Sequence, residues 1–226
     1  MDDIKRLKNN IVVKYPFLLV FFAAKNPLWV FVGASPLLFY FLSQIEAINW
    51  LSIICITLGL VFWTFLEYVI HRWIYHININ SRKLRFVIDG FHFYHHHIMN
   101  DRRVLNAGFL TLYLVSALIL PPFYLIFNLT PQPELFYQFA LGILMGNLFY
   151  EFVHFQIHYK RHSRGYLRSI QNYHLYHHQK RWNKNYGNTS SFWDRIFNTY
   201  DASFKTFKLS ENVNNHFIKS EPTNMA

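Results

Sequence analysis

Twelve of the thirteen histidines lie between His71 and His178, and ten of them form one pattern used twice. The first copy is a pair, His71 and His76, followed by a triplet, His92, His95 and His96. The second is His154 and His158, followed by His174, His177 and His178. A carboxylate stands just upstream of each pair, Glu67 and Glu151. Imidazole suits Fe, Zn, Cu or Ni. Ten imidazoles exceed the roughly four to six positions of one ion, so two ions at about five each is the natural count. A structural zinc site usually closes with about four ligands, often thiolates. The single cysteine, Cys55, lies in an apolar run and reads as a small core filler.

Spacing refines this reading. His154 and His158 are four apart, so on a helix they share a face and can bind one metal. Glu151, one turn earlier on that face, is placed to accept a ring N–H and orient it. His71 and His76 are five apart, about 140° around an ideal helix. Either the helix ends or bulges there, or the two serve different metals. In each H-x2-H-H triplet a helix puts the first and last histidines near one face and aims the middle one elsewhere, which suits two neighbouring metals. His97, His162 and His216 fall outside the repeat and are expected at the surface.

The elements that must hold these residues are apolar. Hydrophobic residues make up 52% of the 226 and charged residues 15%, which points to lipid contact rather than an ordinary soluble domain. Uncharged runs cover residues 26–45, 47–66, 104–127 and 135–150. Pro36 should kink the first, Pro121-Pro122 should interrupt the third, and Gly142 and Gly146 allow close helix approach in the fourth. Of the 22 Lys and Arg residues, five precede the first run, six lie between the second and third, and eleven follow the fourth. The two remaining turns carry none. That is the positive-inside pattern for four spans with both termini cytoplasmic, and it excludes a nucleic-acid surface. It also brings all ten patterned histidines to one side of the membrane.

The expected fold is therefore all-α: an integral membrane four-helix bundle with a cytoplasmic histidine-rich helical cap. One domain is expected, with an interfacial N-terminal segment (1–25), the bundle with the first histidine half (26–159), the cap (160–209) and a flexible tail (210–226). The basic N-terminus shows no pattern of a cleaved signal peptide. A cytoplasm-facing site fits a bacterial inner membrane or an endoplasmic reticulum.

The segments EYVIHRWIYH, FHFYHH with Asp101 five past its last histidine, HFQIH, YHLYHH and the late FWDRIFNTY resemble the membrane di-iron fatty acid hydroxylase superfamily, over roughly residues 63–200. Within it they are most similar to the fatty acid and sphingolipid 2-hydroxylases. His97 and the position of Arg103 depart from that pattern. The resemblance implies two iron ions bound by the ten histidines, with zinc able to occupy the site in purified protein. It implies Glu67, Glu151 and Asp101 as supporting residues around them, and O2-dependent hydroxylation of an unactivated C–H bond of a bilayer lipid, most simply carbon 2 of a fatty acyl chain or ceramide. No His-Pro-Gly-Gly haem segment occurs in the sequence. Electrons are thus expected from a separate haem or ferredoxin-type carrier and its reductase. Trp63, Phe65, Tyr68, Phe149 and Tyr150 either line the mouth of a lipid cavity or form an interfacial belt. The competing readings are a sterol or carotenoid hydroxylase or desaturase of the same superfamily, a histidine-rich metal-binding or transport protein, and a catalytically silent scaffold. Transport is disfavoured because no span carries a charged residue or histidine near its middle.

Overall fold

The computed structural model describes residues 14–18, 22–77, 81, 88–99 and 101–208. The tail at 210–226 and most of the segment at 1–25 lie outside the described residues. The described chain is mostly helical. The long helices are α1 (Pro27–Ser43), α2 (Trp50–Val69), α4 (Phe109–Phe127), α5 (Leu135–Tyr159) and α6 (Gly165–Gln179), and the short ones are α3 (Tyr94–His97) and α7 (Phe192–Ile196).

Local sequence explains the starts of these helices. Asn26 Oδ1 accepts from Leu28 N at 2.9 Å and Pro27 occupies the first turn, where its missing N–H costs nothing. Asn49 and Ser52 form a reciprocal capping box at the head of α2. One expectation is corrected: α4 continues through Pro121 and Pro122 to Phe127, and α1 is helical on both sides of Pro36. Apolar surroundings offer the backbone no competing water partners, so a helix can tolerate proline there.

Helix α5 is the central element and packs against α1, α2 and α4. Its contact with α2 is closest at Gly59 and Gly142. A Cβ on Gly59 would collide with the Phe139 carbonyl, and one on Gly142 with the Ile56 carbonyl. The apolar run that ends at Tyr150 in the sequence continues as helix across both histidines to Tyr159. Helix α4 is the opposite case. Among its residues only Leu112 is buried, and Leu118 and Leu125 are 75% and 66% exposed. Such an apolar outer face has its natural partner in lipid. Trp50–Tyr75 and Phe109–Phe127 are long and apolar enough to cross a membrane, and Pro27–Ser43 is apolar but shorter.

One departure from an all-α chain matters for the site. Ala23 and Ala24 (β1) pair antiparallel with Ala107 and Asn106 (β2). The end of the expected interfacial segment is thereby stitched beside the histidines.

Candidate metal centre

Each histidine pair and triplet sits on a helix end whose geometry the sequence left open. After Val69, α2 relaxes into a π turn over Ile70–Tyr75, with His76 N donating to His71 O at 3.2 Å. An i to i+5 turn brings residues five apart nearly over one another. This resolves the His71–His76 alternatives in favour of a bulge: their Nε2 atoms are 3.3 Å apart. A second π turn, Asp89–Phe93, leads into α3 and carries His92. His154 and His158 lie on the last turns of α5, and His174, His177 and His178 on the last turns of α6.

Together these ends form two groups able to hold a metal ion. His71, His76, His92, His96 and His177 make the first, and His95, His158, His174 and His178 the second. Each triplet is split between them: the middle histidine of one joins the outer two of the other. The groups touch where His96 stacks on His178 at 4.0 Å. His154 stands beside the second group and outside it, its ring 5.0 Å from those of His95 and His158.

Proton bookkeeping says what the groups need. His71 Nδ1 donates to the Tyr186 carbonyl and His177 Nδ1 to the Lys184 carbonyl at 2.6 Å. A carbonyl only accepts, so both Nε2 atoms of these neutral rings are bare lone pairs. Both face His76 Nε2, at 3.3 and 3.1 Å, and His92 Nε2 is 2.9 Å from the same atom. His76 can donate one proton to one of the three. The remaining lone pairs converge with nothing between them, which a cation resolves. In the second group both nitrogens of His95 and of His178 are buried without a hydrogen-bond partner. Two nitrogens about 2.1 Å from a shared ion at a right angle stand about 3.0 Å apart, which matches the observed separations. The residues present fit bound metal.

Burial keeps the imidazoles neutral and ready to ligate. Desolvation pushes His76 down to about 3 and His177 down to about 4, and His92, His95, His96, His174 and His178 well below the ordinary histidine value. Neighbouring imidazoles add to the shift in all of these except His177, where carbonyl hydrogen bonds oppose it.

The upstream carboxylates act one layer further out than expected. Glu151 does not accept an imidazole N–H. Its carboxylate takes Asn106 Nδ2 at 2.7 Å and Ala107 N at 3.2 Å, so it anchors β2. The tie carries the neighbouring Leu105 carbonyl to His154 Nδ1, at 2.9 Å. Glu67 accepts from the backbone of Asn188 and Thr189 and from the Thr189 hydroxyl at 2.7 Å, pinning the loop that supplies Tyr186. Asp101 accepts from Tyr94 at 2.8 Å and pairs with Arg103 at 2.6 Å, bracing α3. His97 is exposed and packs edge-on against Phe93, while His162 Nε2 donates to Gln156 O at 3.0 Å, and both lie outside the groups. His216 lies outside the described residues.

Several residues of the site had no sequence signal. Leu105, Lys184 and Tyr186 act through backbone carbonyls, which no side-chain pattern reveals. Asp194 was legible only as part of the aromatic stretch FWDRIFNTY. Fully buried, it accepts Tyr186 N at 2.9 Å, Gly187 N at 2.8 Å and Thr199 Oγ1 at 2.7 Å, and so shapes the loop around the first group.

A cavity of about 420 Å3 opens from the histidines into the helices. His71, His92, His95, His154 and His174 lie at one end, and Leu112, Ile119, Ala140, Ile143 and Leu144 line the apolar remainder. Trp63 and Tyr150 line it as well. Phe65 instead packs on Trp193, Tyr68 on Phe197, and Phe149 against Tyr166.

The family model for fatty acid hydroxylases matches residues 56–199. The chain is 31% identical over 147 residues to a dihydroceramide fatty acyl 2-hydroxylase, FAH1, of Arabidopsis thaliana, covering 64% of this chain and 59% of that protein. It is 33% identical over 147 residues to the ceramide very long chain fatty acid hydroxylase SCS7 of Saccharomyces cerevisiae, covering 63% and 36%. The chain thus spans about 59% or less of the length of these relatives. The solved structure of full-length scs7p, in which only the hydroxylase domain is visible, superposes with a TM-score of 0.64 at 28% identity, over 82% of this chain and 70% of that one. A helical scaffold of this topology, two histidine groups at its end and a family match across both of them carry one conclusion: the chain belongs to the fatty acid hydroxylase family.

Proposed function

We propose that this chain hydroxylates an unactivated C–H bond of a membrane lipid, at carbon 2 of a fatty acyl chain or ceramide. The balance is one C–H bond, O2, two electrons and two protons, giving one C–OH and water. The observation that carries this reading is the cavity that joins the two histidine groups to an apolar tunnel between the helices. The names of the relatives support the substrate class.

The ten histidines are the ligands in this proposal, His154 included as a member of the second group, and two iron ions are the cofactor. The bound pair supplies O2 activation. The protein does the rest. Backbone carbonyls at Tyr186, Lys184 and Leu105 fix ring tautomers, Glu67 and Glu151 hold the segments bearing two of those carbonyls, and the apolar walls align the acyl chain and exclude water. Electrons come one at a time from a separate carrier of haem or ferredoxin type and its reductase. The four apolar helices α1, α2, α4 and α5 form the membrane bundle, with the histidine cap and both termini on the cytoplasmic side of a bacterial inner membrane or endoplasmic reticulum. The charge bias along the chain supports that orientation.

The test is lipid mass spectrometry of cells expressing the chain under 18O2. Hydroxylated acyl chains should carry the label, and His174→Ala should abolish them. Unchanged product in that variant would refute the reading.

A further inference from the structure

Two tyrosines stand where the cavity meets the histidines, and the ligand set does not use them. Tyr75 stacks on His92 of the first group, with ring centroids 4.7 Å apart and planes 19° apart. Tyr150 stacks on His154, beside the second group, at 5.6 Å and 7°. Both line the cavity and both are half-buried. The Tyr75 hydroxyl has no hydrogen-bond partner among the described residues. One phenol thus lines the cavity beside each group, in walls that are otherwise mainly apolar.

A free donor in an apolar pocket orients whatever acceptor enters it. An acyl lipid has one such acceptor close to carbon 2, its carbonyl oxygen. We propose that Tyr75 and Tyr150 hold that carbonyl oxygen by two O–H donors, and that this sets which carbon lies over the metals. The subsite explains how one carbon of a chain of near-identical methylenes is selected. Apolar walls discriminate poorly between positions along an alkyl chain, whereas a hydrogen bond to a single atom gives a register. The inference rests on the hydroxylase reading for its link to reaction position. The binding it describes can be measured without turnover.

The test compares two probes on the purified, metal-loaded chain: a long-chain acyl ester, and the alkyl ether that differs only by lacking the carbonyl oxygen. The wild type should bind the ester about tenfold or more tightly than the ether. Tyr75→Phe and Tyr150→Phe should each lose about fivefold of that preference, the worth of one hydrogen bond, and the double variant should bind both probes alike. Ether affinity and metal content should stay at wild-type values throughout, which a folding defect would not permit. In turnover, the double variant should spread the hydroxyl over carbons beyond carbon 2. A double variant that keeps the ester preference, or a wild type that has none, overturns the subsite. If the wild type hydroxylates no lipid, the hydroxylase reading fails, while the ester–ether comparison still decides the role of the tyrosines.

Discussion

Acidifying the metal-free chain from pH 7 to pH 5 probes the histidine groups through their burial, and His177 allows the size of the effect to be worked out. It is fully buried, and desolvation pushes its pKa down to about 4. In the unfolded chain it titrates near 6.5. Between those values the unfolded state binds a proton that the folded state refuses, so stability falls as pH drops through about 6.5 and levels off below about 4. Each pH unit in that window costs about 1.4 kcal/mol, or about 2 kcal/mol by pH 5 for this residue alone. His76, pushed down to about 3, acts in the same direction. Set against a typical stability of about 5–15 kcal/mol, a metal-free chain should lose much of its fold by pH 5. The assay is chemical or thermal unfolding in detergent, metal-free, across pH 7 to 4. His177→Gln should flatten the slope by about one proton. Loading with metal should move the acid limb to lower pH, because an ion on the imidazole nitrogens competes with protons. A metal-free chain equally stable at pH 7 and pH 5, or a slope that His177→Gln leaves unchanged, would refute the view that these rings are buried neutral.

Other outcomes follow from individual contacts. Glu67→Ala strands two buried backbone N–H groups at Asn188 and Thr189, and should cost about 3 kcal/mol together with metal content, read by unfolding and elemental analysis. Gly142→Leu drives a side chain into the Ile56 carbonyl and should abolish folded protein in detergent extracts. Asp101→Asn weakens a partly exposed pair with Arg103 and should change the unfolding free energy by about 1 kcal/mol or less. His96→Ala and His95→Ala remove nitrogens from different groups, so each should lower bound metal by part of the total and the double variant by more than either. Equal, complete loss in both single variants would show that the groups do not bind independently.

Much of this protein is legible in the order of its residues. Histidine spacing alone defines two half-sites and the splitting of each triplet between two groups, because a helix converts sequence separation into angle. Apolar run lengths define where the helices lie, because lipid-facing surface has to be apolar over a bilayer's thickness. What spacing could not decide, tertiary structure did. Whether His71 and His76 cooperate depends on a π turn, and a few degrees of backbone rotation per residue leave no mark in residue type. Glu151 looks like a partner for its neighbour on the helix face, yet Asn106 and Ala107, more than forty residues away, reach its carboxylate first. The carbonyls that fix the rings of His71, His154 and His177 belong to loops, and every residue has a carbonyl. The cavity, and with it the placement of Tyr75 and Tyr150, exists only once four helices and a two-residue strand pair close around the same space. Residue type and spacing are local chemistry and show in sequence. Ligand orientation and the shape of the space beside it come from contacts between distant segments, and only the folded chain decides them.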